Sequence, residues 1–318
     1  MAGIRLDGVI ERVTDGDTLR ITADDRLFKV RVLGLDTEES NANPHKPVTR
    51  WGQEATAFTK SILPEGTPVE IEFPGSAPVI VDGEINTRYL DNFERPLGFV
   101  HLRQAVEGFT DFSELMIRKG FSPYFVKYGR AVFADHDRRY SHAEWAAQQD
   151  DVGVWNQFDA NGVMSEALAP RNYAQLMVWW ELRARIIDGF RQAKAAAPDA
   201  ELYNTRLDYA TLLEKAAGET VTVFMELRGG ETVGELHHVI RSGSNAQPFQ
   251  LFLPLEDRPE IVEVKRLLSN RYIADGEDFP RRNYAYITGP CKLFNNRPEM
   301  VVERVDQISD MPPDADTA

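Results

Sequence analysis

Residues 28–39, FKVRVLGLDTEE, constrain this chain more than any other stretch. The run Phe28 to Leu35 carries apolar residues on both of its alternating faces, as a strand covered on both sides must. Arg31 sits inside that run, which ends in Asp36-Thr37-Glu38-Glu39. Any fold that accepts it must bury the strand, supply an anion to a buried guanidinium, and tolerate three carboxylates at the strand's end.

The surrounding sequence offers such a fold. GVIERV, the turn Asp15-Gly16, DTLRITA, the turn Asp24-Asp25 and LFKVRVLGL predict a strand meander over residues 1–35. Residues 51–63 have helical spacing and stop at Pro64, and PVEIEF (68–73) alternates like a strand. Residues 79–102 predict a loop or hairpin followed by a strand, and 111–120 and 141–155 predict helices. Together they predict a closed β-barrel with helices packed on it, over 1–158. Residues 159–214 predict a helical connector. Over 215–310 the pattern is three strands, a helix and two strands, as in a small Greek-key barrel of the OB type. The tail, 311–318, reads as disordered. The fold class expected is α+β, mainly β.

Charge limits the partners. Lys and Arg number 36 against 50 Asp and Glu, a net charge of −14 that the two halves share equally. Generic polyanion binding by a basic surface is therefore not predicted, and any nucleic-acid contact needs a local patch. No run approaches the roughly 18 apolar residues of a membrane span. No signal peptide is visible, and Cys291 is the only cysteine, so no internal disulfide can form. These features predict a soluble, cytoplasmic protein without a membrane partner. They leave its oligomeric state open.

Asp17 begins one strand and Asp36 ends another. Adjacent strand ends in a meander bring such carboxylates together. Two carboxylates with a backbone carbonyl make a hard, all-oxygen site for Ca²⁺ or Mg²⁺. Equally, Asp15-Gly16-Asp17 reads as a simple turn. Arg31 can pair internally with Asp17 or Asp36, or it can await a phosphate, which a guanidinium grips in bidentate fashion. Arg95 precedes another apolar strand and could supply a second clamp. Glu39 could act as general base on a water. Two arginines, one metal and one carboxylate suffice for phosphodiester hydrolysis.

VTDGDTLRI, VRVLGLDTEES, WGQEATAFTK, DNFERPLGFV, SELMIRKGFS and HAEWAAQQDDVGVWN follow one another in the order found in the staphylococcal nuclease (thermonuclease) family, which residues 5–158 resemble. The resemblance implies a five-stranded OB-type barrel with three helices. It implies Asp17, Asp36 and the Thr37 carbonyl as Ca²⁺ ligands, with Mg²⁺ or Mn²⁺ as alternative ions. It implies Arg31 and Arg95 on the phosphate, Glu39 as the base and Tyr128 beside the nucleotide. Substrates of the family are DNA and RNA, single strands above all, cut endonucleolytically. Some positions depart from the pattern. Glu38 stands where the family usually has proline, Val126 where it has a second tyrosine, and Asn92 where its best-known member has a lysine.

In the second half, Arg282, Tyr284 and Tyr286 alternate onto one strand face, with Phe294 and Arg297 nearby. They are either a stacking surface for a single strand or half-buried core. His237 and His238 point to opposite faces of a strand and cannot chelate one ion. Trp179-Trp180 reads as a packing anchor. The function expected is a Ca²⁺-dependent nuclease for single-stranded DNA, and perhaps RNA, helped by an OB-like module. The alternatives are a non-catalytic binding or scaffold protein and a calcium-stabilised structural protein.

Overall fold

The computed structural model describes residues 3–41, 47–156, 161, 163, 171–229, 231–233, 237–254, 258–273 and 280–313. It divides into two compact units, Met1–Val126 with Arg130–Met177, and Lys127–Gly129 with Val178–Ala318.

The first unit begins with β1 (Ile4–Asp15), β2 (Thr18–Ala23) and β3 (Arg26–Val32). Leu19 and Ile21 of β2 and Phe28, Val30 and Val32 of β3 are buried, so the period-2 pattern turns one face inward. Asp24 and Asp25 both adopt positive φ, which a two-residue hairpin of the right twist requires. Then come α1 (Arg50–Ile62), β4 (Pro68–Phe73), the small hairpin β5 (Ile80–Val81) and β6 (Glu84–Ile85), β7 (Leu97–Val106) and β8 (Phe109–Asp111). β1 pairs antiparallel with β2 and β4, β4 antiparallel with β7, and β7 parallel with β3. That last pairing, Arg31 with Leu97 and Val32 with Gly98, closes the sheet into a barrel of the OB type.

Three helices cover this barrel. Thr49 caps α1 by accepting from the Gly52 N–H at 3.0 Å. Asp111 caps α2 (Phe112–Arg118) by accepting from the Glu114 N–H at 3.1 Å. α3 spans Ala134–Gln149, starting earlier than the sequence pattern predicts. Its buried stripe is His136, Tyr140, Ala143 and Ala147. Two members of that stripe score as polar in sequence, which hides the first two turns.

α4 (Tyr173–Ala196) contributes to both units, which divide after Met177. β9 (Leu202–Asn204) interrupts the helical connector expected over 159–214 and pairs in parallel with β10 (Ala217–Glu226). Most of 157–170 lies outside the described residues, as does the tail end 314–318. After α5 (Tyr209–Lys215) and β10 come β11 (Glu231–Val233), β12 (His237–Gly243), β13 (Pro248–Pro254), α6 (Pro259–Leu267), β14 (Tyr284–Phe294), β15 (Arg297–Val301) and β16 (Ile308–Ser309). β10 pairs antiparallel with β14, β14 with β15, β11 with β12 and β12 with β13, while β13 and β15 run parallel. The first unit follows the same scheme: β1 pairs with β4 as β10 does with β14, and β3 runs parallel to β7 as β13 does to β15. Val221, Val223, Ile240, Leu251, Ile287 and Met300 lie in the buried core beneath these strands. No helix among the described residues is long and apolar enough to cross a membrane.

Candidate active site

The turn from β1 to β2 and the end of β3 build the site. Val32 N–H donates to the Asp17 carbonyl at 2.9 Å, which ties the end of β3 to the start of β2. Gly34, at φ +81, turns the chain after β3 into the left-handed region that a side chain disfavours. The chain then returns past Asp17. Thr37 donates its N–H to Asp17 Oδ2 at 3.0 Å and its hydroxyl to the same oxygen at 3.3 Å. Thr18 donates to Asp17 Oδ1 at 3.1 Å.

Arg31 stands between the two carboxylates. One terminal nitrogen is in contact with Asp17 Oδ1. The other reaches Asp36 Oδ1 at 2.9 Å and the Leu35 carbonyl at 3.0 Å. Of the two roles left open for Arg31, the internal pairing is the one present, and it engages both acids. Asp17 and Asp36 are 4% and 9% exposed, so this is a buried ion cluster. Burial alone would lower the affinity of Arg31 for its proton, but the charges of Asp17 and Asp36 outweigh it and the group remains a fixed cation. Burial, with the Asp17 charge beside it, pushes the Asp15 carboxyl up to about 7.

Asp36 has a second cation. Arg171 holds Asp36 Oδ2 at 2.8 Å. Two residues on, Tyr173 is fully buried and donates its hydroxyl to Glu38 Oε1. Sequence reasoning missed both contacts because each spans 135 residues. The only local signal was Glu38, an acid in a place where the resemblance leads one to expect proline.

Glu39 is half-buried, and its main chain is locked to α1. Its carbonyl accepts from the Thr49 N–H at 3.1 Å. A Cβ on Gly52 would lie 2.2 Å from that carbonyl oxygen, so only glycine lets the first turn of α1 approach so closely. Arg95 lies two residues before Leu97, the partner of Arg31, and thus at the same end of the sheet. Its Nε holds Asp91 Oδ2 at 2.7 Å, and its guanidinium lies 5.4 Å from the Phe93 ring. Among the described residues its ion pair is with Asp91, not with Asp17 or Asp36.

The remaining expected residues lie in the second unit. Tyr128 is 54% exposed and has the Arg183 guanidinium 5.5 Å from its ring. Tyr284 and Tyr286 are buried beside Phe224, and Phe190, Phe224 and Tyr284 form a stack with centroids 4.6 and 5.2 Å apart. Their rings are packed into the unit rather than turned outward, which corrects the expectation of a stacking surface for bases. Burial pushes the Tyr286 hydroxyl up to about 12. Arg282 spends its charge on Asp310, with Nε at 3.1 Å from Oδ1.

Asp17 and Asp36 bring hard carboxylate oxygens to one guanidinium, and Thr37 is tied to Asp17 beside them; oxygen donors of this kind fit Ca²⁺ or Mg²⁺. A second group, Glu72, His101 and His136, brings its ligand atoms within 4.8 Å of one another. Its N,N,O donors would suit a transition metal instead. There, Glu72 Oε2 already meets His101 Nε2 at 2.7 Å and Arg5 at 3.2 Å, and Oε1 accepts the Gly3 N–H at 3.0 Å. An ion would have to displace those partners. The trio joins β4, β7 and α3.

Residues 29–157 match the family model described as staphylococcal nuclease homologue. The thermonucleases of Staphylococcus hyicus and Staphylococcus intermedius are 27% and 29% identical over 145 and 147 residues. Each comparison covers 46% of this chain, and 73% and 74% of the respective thermonuclease. An uncharacterized protein of Methanocaldococcus jannaschii is 24% identical over 164 residues, 47% of this chain and 71% of its own. The stretch 29–157 is thus similar to staphylococcal nuclease homologues. Its family match includes Arg31, Asp36, Thr37, Glu39 and Arg95, and it stops short of Asp17 on one side and Arg171 on the other.

Proposed function

We propose that the first unit is a nuclease that hydrolyses phosphodiesters in single-stranded DNA, and in RNA as a second substrate. The observation that carries this reading is Arg31, half-buried at a barrel strand's end between the buried Asp17 and Asp36, in the stretch similar to staphylococcal nuclease homologues. Asp17, Asp36 and the Thr37 carbonyl would hold Ca²⁺. Bound there, the ion would act as a Lewis acid on a phosphate oxygen.

The chain's own residues do the rest. Arg31, kept charged and partly dehydrated, meets the charge that develops on the phosphate where a hydrogen bond counts for more than in water. Arg95 adds a second guanidinium once it leaves Asp91. Glu39 takes the proton of the attacking water as the new P–O bond forms and the ester P–O bond breaks. Its backbone lock to α1 keeps the carboxylate at a fixed distance from the strand end.

The second unit, with the strand pairing of the first, is read as an OB-like module that holds the substrate strand. Phe294, 51% exposed at the end of β14, is an aromatic it presents along with Tyr128, in place of Tyr284 and Tyr286.

One observation favours a binding protein instead. Every oxygen of Asp17 and Asp36 already accepts from a protein donor. Cleavage of end-labelled single-stranded DNA, duplex DNA and RNA in Ca²⁺, Mg²⁺ and EDTA, with Glu39→Gln alongside, decides between them. The nuclease reading expects Ca²⁺-dependent cutting that falls by roughly two to three orders of magnitude in the variant. Absence of cutting in all conditions, with the strands still bound, would establish the binding protein.

A further inference from the structure

The site does not end where the nuclease-like domain ends. We propose that Arg171 is a third phosphate-binding arginine of this site, and that Tyr173 is the residue that positions it. The inference rests on the nuclease reading for its chemistry and on the geometry of residues 36, 38, 171 and 173 for its assignment.

Asp36 carries a guanidinium on each oxygen, Arg31 on Oδ1 and Arg171 on Oδ2. The two cations therefore flank one carboxylate at the place where a scissile phosphate is proposed to lie. A phosphate diester needs donors on both of its non-bridging oxygens, and arginine supplies them in a fixed fork. Arg171 needs only to turn from one anion to a neighbouring one.

What holds Arg171 distinguishes a resident cation from a removable strap. Tyr173 is fully buried, its hydroxyl is donated to Glu38, and its ring lies 6.0 Å from that of Trp155. The Arg171 guanidinium itself sits 5.4 Å from the Tyr173 ring. An inhibitory segment must leave the site, and a buried tyrosine paired with a buried acid would leave at high cost. A binding residue needs only its guanidinium to swing, and this anchor permits that. The same anchor accounts for Glu38: a proline there would give the Tyr173 hydroxyl no acceptor.

The test uses the full chain with Arg171→Ala, Arg171→Lys and Tyr173→Phe, each first checked by thermal melting. Binding of a fluorescent 12-mer of dT is measured by anisotropy across a salt series in Ca²⁺, and cleavage of the same strand under single turnover. The proposal expects Arg171→Ala to weaken binding about tenfold and to reduce the salt slope by about 0.7, the value of one lost phosphate contact on a single strand. Arg171→Lys should restore the slope but not the cleavage rate, since an ammonium keeps the charge without the fork. Tyr173→Phe should slow cleavage while leaving the salt slope intact. Unchanged binding and slope in Arg171→Ala would overturn the proposal while wild-type cleavage left the nuclease reading standing. Faster cleavage or tighter binding would overturn it too, in favour of a lid over Asp36. A wild type that never cuts but whose binding depends on Arg171 would sink the nuclease reading and keep the phosphate contact.

Discussion

Tyr173 donates its hydroxyl to Glu38 across 135 residues of sequence, and both side chains are buried. Burial keeps the tyrosine hydroxyl protonated, far above its ordinary range. Removing the donor leaves a buried carboxylate short of a partner, which costs about 1–3 kcal/mol. Tyr173→Phe should therefore lower stability to urea by that amount. Equilibrium unfolding measures it; an unchanged midpoint would show that the pair is solvated.

Gly52 tests the junction between Glu39 and α1. A methyl at this position meets the Glu39 carbonyl at 2.2 Å and the Glu38 carbonyl at 2.6 Å, both main chain. Backbone cannot yield as a flexible side chain does, so Gly52→Ala should destabilise by about 1–3 kcal/mol. It should also slow cleavage by displacing Glu39. Paired measurement of Tm and rate checks this, and a stable, fully active variant would disprove the close docking.

Arg183 and Glu226 set an acid limit on the second unit. Burial raises the Glu226 carboxyl, but the charges of Arg183 at 2.7 Å and of Arg228 outweigh it and hold the group below its ordinary 4.5. A depressed carboxylate contributes stability above its unfolded value, and that contribution is lost as pH falls through the lower folded value. The melting temperature of the second unit should thus fall below about pH 4.5. Arg183→Ala should weaken that dependence and cost about 1–3 kcal/mol at neutral pH, since Glu226 then keeps only Arg228 on its other oxygen. A melting curve series from pH 7 to 3 reads both effects.

Cys291 is fully buried, and burial pushes its thiol up to about 11. A protonated, covered thiol is a poor nucleophile. The native protein should resist a colorimetric disulfide reagent at pH 8, and the urea-unfolded protein should react with one equivalent. Rapid reaction in the native state would contradict the packing under β14.

Much of the fold was legible because period and turn chemistry agree locally. The β2–β3 hairpin announced itself by Asp24-Asp25, and β4 by the alternation of PVEIEF. The start of α3 was not legible, since His136 and Tyr140 bury polar side chains against partners that sequence does not reveal. β9 escaped notice because it is only three residues long and depends on β10 for its shape. The cluster of Asp17, Arg31 and Asp36 could be read because an arginine within an apolar strand beside acids at adjacent strand ends has few other partners. Arg171 and Tyr173 could not, because nothing near them in sequence names Asp36 or Glu38. Tyr284 and Tyr286 misled for the opposite reason: alternation places side chains on a face but does not say whether that face is covered.

The central claim is that Arg31 is held between Asp17 and Asp36 in order to meet a phosphate in its transition state. The direct test is Arg31→Lys in single-turnover cleavage of single-stranded DNA, with Ca²⁺ present and folding verified by melting. Lysine keeps a cation between Asp17 and Asp36 but loses the fork. The account predicts an intact fold and a rate lower by about 10²–10³. Near-normal turnover in that variant would contradict it and make Arg31 a strut for the two aspartates.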